Sequence, residues 1–89
     1  MAVTNTPIDV ICICSAGGEM KPLRFQIEDE RHQMIRVNVD EVLSIREIPY
    51  VGVEAKIYLC RGVVKGVQRL FELKYTIRTQ CWRLFQELM

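Results

Sequence analysis

Histidine is nearly missing from this chain: His32 stands alone, and it lies beside Glu28, Asp29 and Glu30 rather than next to a nucleophile. Nucleophilic catalysis needs a base within reach of a serine, cysteine or threonine, and Ser15 and Ser44 fall in separate stretches. The three adjacent carboxylates lack the burial that would drive two pKa values apart. They fit a solvated tip, so neither an enzyme nor a cofactor is expected. Long apolar runs are missing as well. None approaches the ~20 residues that cross a bilayer. Residues 1–7 carry no basic n-region, and Val10 to Cys14 is too short for the core of a signal peptide. A cytoplasmic protein follows as the expectation.

Metal-ligand spacing is also lacking. Of the four cysteines, Cys12 and Cys14 are one residue apart inside an apolar run, while Cys60 and Cys81 are solitary. Structural zinc sites draw on pairs two to four residues apart on a turn, so the thiols are expected to be reduced and metal-free. Alternation would place Cys12 and Cys14 on one face of a strand, so a four-thiolate site is geometrically conceivable, but buried cysteine as a small hydrophobe is the commoner state. Charge of one sign is scarce overall, with a formal net of +1. It is unevenly divided, however: residues 1–45 carry four Lys or Arg against seven Asp or Glu, and residues 46–89 carry eight against four. That polarity can steer association but is small for a dedicated nucleic-acid domain.

What is present is alternation. With 89 residues the chain makes one small domain, stable by about 4 to 13 kcal/mol. Residues 1–6 read as a flexible N-terminus and residues 7–89 as a single β domain. Phe71, Leu73, Tyr75 and Ile77 alternate with Glu72, Lys74, Thr76 and Arg78, the period of a half-buried strand. Trp82 and Leu84 continue the pattern after a short return, although Cys81, Leu84, Phe85 and Leu88 also fit helical spacing.

Upstream, Ile8 to Cys14 is apolar on nearly both sides, as in a strand inside a sheet or at a crossing. Gly17-Gly18 suits a hairpin rather than a phosphate loop, because Leu23, Phe25 and Ile27 then alternate instead of opening a helix. Ile35, Val37 and Val39 form a third strand. Its phase slips at Asp40-Glu41, where a β-bulge is favoured over a helix capped by Asp40, with Leu43 and Ile45 still facing inward. After Pro49, residues Val51, Val53, Ala55, Ile57 and Leu59 are expected inside, opposite Glu54, Lys56, Tyr58 and Cys60. Arg61 to Gly66 is the next turn.

Six runs joined by turns predict an all-β fold, a small antiparallel six-stranded meander curled into an SH3-like or OB-like barrel or roll. Ile8-Asp9-Val10, Leu23-Arg24-Phe25, Val37 through Leu43, Phe71 to Tyr75 and Trp82-Arg83-Leu84 together resemble a family of small bacterial β proteins, a domain of unknown function. The resemblance implies a β-rich fold whose last element, at Trp82, is a strand; it carries no site residues.

Two surfaces follow from this register. Lys56, Tyr58, Lys74, Arg78, Arg83 and Phe85 would share an outer face, where cations interleaved with rings suit single-stranded nucleic acid. Val63, Val64 and Phe85 would lie beside an unpaired edge and support self-association. A small binding or protein-interaction module acting through its sheet, with a homodimer or a protein partner, is the expected function; single-stranded nucleic-acid binding is the alternative.

Overall fold

The computed structural model describes residues 2–50 and 53–88. Seven strands occupy almost all of them: β1 (Ala2–Pro7), β2 (Val10–Cys14), β3 (Met20–Glu28), β4 (Met34–Tyr50), β5 (Val53–Val64), β6 (Val67–Thr76) and β7 (Cys81–Leu88). They form one antiparallel sheet in the order β1-β7-β6-β5-β4-β3-β2, with no helix among the described residues. The fold is all-β, as expected, and the last element is a strand. Two corrections apply to the architecture. The strands number seven rather than six, because residues expected to trail from the domain pair with β7. The sheet is also open, a half-barrel rather than a closed barrel or roll.

β4 gives the sheet its curl. This 17-residue strand pairs with β3 from Met34 to Asn38 and with β5 from Val39 to Tyr50. Register shifts between Val39 and Glu41 and between Val42 and Ser44 leave Asp40 and Leu43 as the extra residues. A bulge adds an unpaired residue, bends its strand and raises the local twist; two of them so close together turn β4 from one half of the sheet to the other. The first was predicted from the slip at Asp40-Glu41. The second makes Leu43 an exposed bulge residue rather than an inward one. Gly62, opposite Val39, permits the bend, since a Cβ there would lie 2.8 Å from both the Asn38 carbonyl oxygen and Val37 Cγ1.

The curl brings the sheet's ends together. β1 and β2 are the edge strands, yet they are consecutive in the chain. The Ile8 N–H donates to the Trp82 carbonyl at 3.2 Å, and the Asp9 carbonyl accepts from the Gln26 N–H at 3.2 Å. Residues 8–9 thus step from β7 to β3 across the seam. β2 is therefore an edge strand with Ile11 and Ile13 exposed, not the doubly covered strand that its apolar composition suggested.

Inside the curve lie Phe25, Val37, Tyr58, Cys60, Phe71, Leu73, Trp82 and Leu84, with Tyr75 partly buried against them. Phe25 meets Phe71 edge-on, ring centroids 5.1 Å apart, and Trp82 is flanked by Tyr58 at 5.3 Å and Tyr75 at 4.9 Å. Ile77 leaves this set, because β6 ends at Thr76 and Ile77 opens the exposed turn to β7.

The inward set of β5 is the reverse of the expected one. Tyr58 pairs with Leu73 and Cys60 with Phe71 on the inner side, while Ile57 pairs with Lys74 on the outer. Val51 and the side chain of Val53 lie outside the described residues. β5 is central and buried on both faces, so alternation between Ile57 and Tyr58 carried no preference. Tyr58 packs beside Trp82, and the close approach of β4 leaves no room for a side chain at Gly62. The turn after β5 is also tighter than predicted: Lys65 and Gly66, at φ +51° and +80°, form a two-residue connection of the kind that matches strand twist.

Trp82, 9% exposed, joins both tyrosines to the core, so Trp82→Ala is expected to lower unfolding free energy by about 3 to 5 kcal/mol in a denaturant titration. Gly62→Ala meets backbone rather than a flexible side-chain end and is expected to cost about 1 to 3 kcal/mol. Thermal melts of the two variants would check the bend and the core separately.

Candidate interaction surfaces

Where β4 leaves β3, the sheet splits. From Val39 onward β4 keeps β5 on one side and, among the described residues, has no paired strand on the other. The wedge is a groove of about 700 Å³. Ile13, Ser15, Glu19, Met20 and Lys21 line it from β2, β3 and the turn between them, Val42, Ser44 and Ile45 from β4, and Lys56 and Tyr58 from β5. Ile45 is 54% exposed despite its inward register, because β3 is no longer there to cover it. Backbone donors and acceptors on such an edge are a template for another strand. Charged and proline residues commonly blunt an edge, and this one carries Asp40, Glu41, Arg46, Glu47 and Pro49; only Val42-Leu43-Ser44-Ile45 between them is free of both.

Tyr58 is only 2% exposed, and burial raises its phenol above the usual range, with Cys12, Tyr75 and Cys60 adding to the effect. It therefore stays neutral as a hydrogen-bonding group in the groove lining. Burial likewise pushes the Cys60 thiol up to about 12.

The opposite, convex side is charged. Register places Arg46 beside Ile57, Ile57 beside Lys74, and Lys74 beside Arg83, a row running across β4, β5, β6 and β7. Ile57 is 1% exposed and lies in register between Arg46 and Lys74. Arg46 donates to the Glu72 carboxylate at 3.2 Å, and Gln86 donates to the other oxygen of Glu72. Glu72, 8% exposed, is the buried charge of this face and is satisfied by both partners. Lys74 Nζ sits 5.8 Å above the ring of Phe85, and Arg83 donates to the Asn5 carbonyl at 2.8 Å.

The residues assigned to nucleic acid from the sequence are thus divided. Lys74, Arg83 and Phe85 come together on the convex side. Lys56 and Tyr58 lie on the concave side, a consequence of the reversed β5 register, and Arg78 is in the exposed β6–β7 turn. Arg46 was missed, since its place beside Ile57 depends on the two bulges upstream. Phe85 itself is an extra residue: Leu73 pairs with Leu84 and Glu72 with Gln86, leaving it unopposed.

Val63, Val64 and Phe85 do not form one patch at an edge. Val63 and Val64 end β5 at the tip of the central hairpin, with Val64 turned toward the core, and the edge strands are β1 and β2.

Other candidates are dispersed. His32 is exposed at the β3–β4 tip, at φ +61°, and contacts the Glu28 carboxylate. The Asp29 carboxylate accepts from the backbone N–H groups of Gln33 and Arg31, which lowers its pKa. Among the described residues no three His, Cys, Asp or Glu side chains converge on a possible metal position, and no helix is long and apolar enough to cross a membrane. Cys60 is buried, Cys12 half-buried, and Cys14 and Cys81 exposed. At about pH 8 an aromatic disulfide reagent is expected to modify Cys14 and Cys81 readily and Cys60 at least about 100-fold more slowly, with denaturant abolishing the difference.

No protein-family model, curated protein or solved structure matches the chain.

Proposed function

We propose that this chain is a small protein-interaction module that acts through its sheet by accepting an extended segment along the open edge of β4. The observation that carries this reading is the parting of β3 and β4 after Asn38, which leaves a strand edge beside a groove lined by Ile13, Met20, Val42 and Ile45. Strand addition draws its affinity from main-chain hydrogen bonds and its specificity from alternate side chains entering pockets. A second copy of the chain is one partner of this kind, supplied by Ile11 and Ile13 on the β2 edge or by β4 itself. Ser15, Ser44, Glu19, Lys21 and Lys56 give the same groove polar groups that a docked segment's side chains and main chain can meet.

Selection from a displayed library of linear peptides tests the proposal. Binders are expected to lose at least about tenfold in affinity, about 1.4 kcal/mol, against Ile45→Lys, and again when alternate backbone amides of the peptide are N-methylated. Ile45 is exposed, so its substitution should leave the fold intact, which circular dichroism would verify. Binders insensitive to both changes, or no enrichment over the Ile45→Lys protein, would overturn the reading. Sedimentation across a micromolar range identifies a second copy as the occupant if association is present and is lost in the same variant.

A further inference from the structure

The convex face is not needed for strand capture, and its charge calls for a separate explanation. Arg46, Lys74 and Arg83 occupy one transverse row. Neighbouring strands are about 4.8 Å apart, so Lys74 and Arg83 are about one strand spacing from each other and Arg46 about two from Lys74. Lys74 and Arg83, directly opposite on adjacent strands, repel one another, and a sheet would ordinarily relieve this with a carboxylate opposite a cation. Here Glu72 supplies a carboxylate, and of the three cations it pairs with Arg46 alone. Among the described residues neither Lys74 nor Arg83 has an ion-pair partner; Lys74 rests over Phe85, and Arg83 on a neutral carbonyl.

We infer that this row binds the phosphodiester backbone of single-stranded nucleic acid, which crosses β4 to β7 along the line of cations. A linear polyanion matches a line of charge. A lipid surface would match it less well, because Ile57, the apolar residue within the row, is buried and offers nothing for insertion. A convex sheet cannot enter a duplex groove as a helix or a ribbon does, whereas unpaired bases can stack on rings at the strand's side. Phe85 is the half-buried ring beside the row, brought out of alternation by the β7 bulge. Glu72 acts as a positioning residue: together with Gln86 it fixes the guanidinium of Arg46 at the head of the row. The ligand is a class, RNA or DNA without base selection, since no donor or acceptor in the row is arranged to read a base edge.

The test is fluorescence anisotropy with a labelled mixed-sequence strand of about 12 nucleotides, as RNA and as DNA, at about 50 and about 200 mM salt. With about three phosphates engaged, affinity is expected to fall about 20-fold between the two conditions, and in Lys74→Gln/Arg83→Gln the salt effect should shrink to about threefold. Arg31→Gln/Lys65→Gln, which removes the same charge from the hairpin tips, should behave as wild type. Melting curves would confirm that both variants are folded.

No binding at the lower salt, or equal losses in the two double variants, would overturn the inference. So would tighter binding of the matching duplex, or binding to vesicles rich in anionic lipid in place of the oligonucleotide. Ile45→Lys reports on the strand-capture site and not on this row, so the two proposals can fail separately.

Discussion

Everything in this fold depends on the bend in β4. A single strand cannot serve both halves of a small sheet unless it turns between them. Here the turn is made by two extra residues, Asp40 and Leu43, set within five positions of one another. The bend requires the opposite strand to come close, and Gly62 meets that requirement by having no side chain where Val37 and the Asn38 carbonyl approach. Once β4 has turned, β3 cannot follow it past Asn38. The groove, the open edge and the exposure of Ile45 are consequences of that one departure. The same turn carries Arg46 round to the convex face in register with Ile57, which completes the cation row.

Much of the fold was legible in the amino-acid sequence because most strands have one wet face. Phe25 and Ile27, Phe71 and Leu73, and Trp82 and Leu84 are separated by polar residues, and their burial follows from period two alone. The bulge at Asp40 was legible for the same reason: an acidic residue fell on an inward position, and only an extra residue restores the phase. Legibility failed where that contrast is missing. β5 is buried on both sides, so Ile57 and Tyr58 are both buried and composition could not choose between them. β1 has little apolar patterning of its own in Thr4-Asn5-Thr6-Pro7, and it is a strand through its pairing with β7. β2 misled in the opposite direction. Its isoleucines suggested cover on two sides, but they lie at the sheet's edge.

The surfaces inherit these errors and successes residue by residue. Lys74 and Arg83 pair directly, because the register between β6 and β7 is regular from Leu73 to Thr76, before the bulge at Phe85. Tyr58 was assigned to the wrong side by the β5 phase, and a ring expected to stack on a ligand instead packs at a tilt against Trp82. Arg46 could not have been added to the row by pattern, since two bulges intervene between the last securely phased residue of β4, Val39, and itself. The open edge of β4 was invisible for a deeper reason. Alternation reports which face of a strand is buried, but it carries no information about where along its length a neighbour stops pairing.

The two surfaces meet at one residue. Strand addition extends the sheet in its hydrogen-bonding direction, beyond β4, and the cation row runs in that same direction with Arg46 as its end on β4. A strand docked on the β4 edge in register would set one side chain next to Arg46, as Ile57 is next to it on the other side. Were that side chain acidic, it would compete with Glu72 for the guanidinium and withdraw a cation from the row; were it basic, the row would gain a fourth. Cross-strand pairs of this kind contribute about 0.2 to 1 kcal/mol each. That is enough to change the affinity of a salt-dependent ligand severalfold without altering the fold. The bend that opens the edge therefore also places it beside the charge, and occupancy of one surface would be felt at the other through Arg46 rather than through any movement of the sheet.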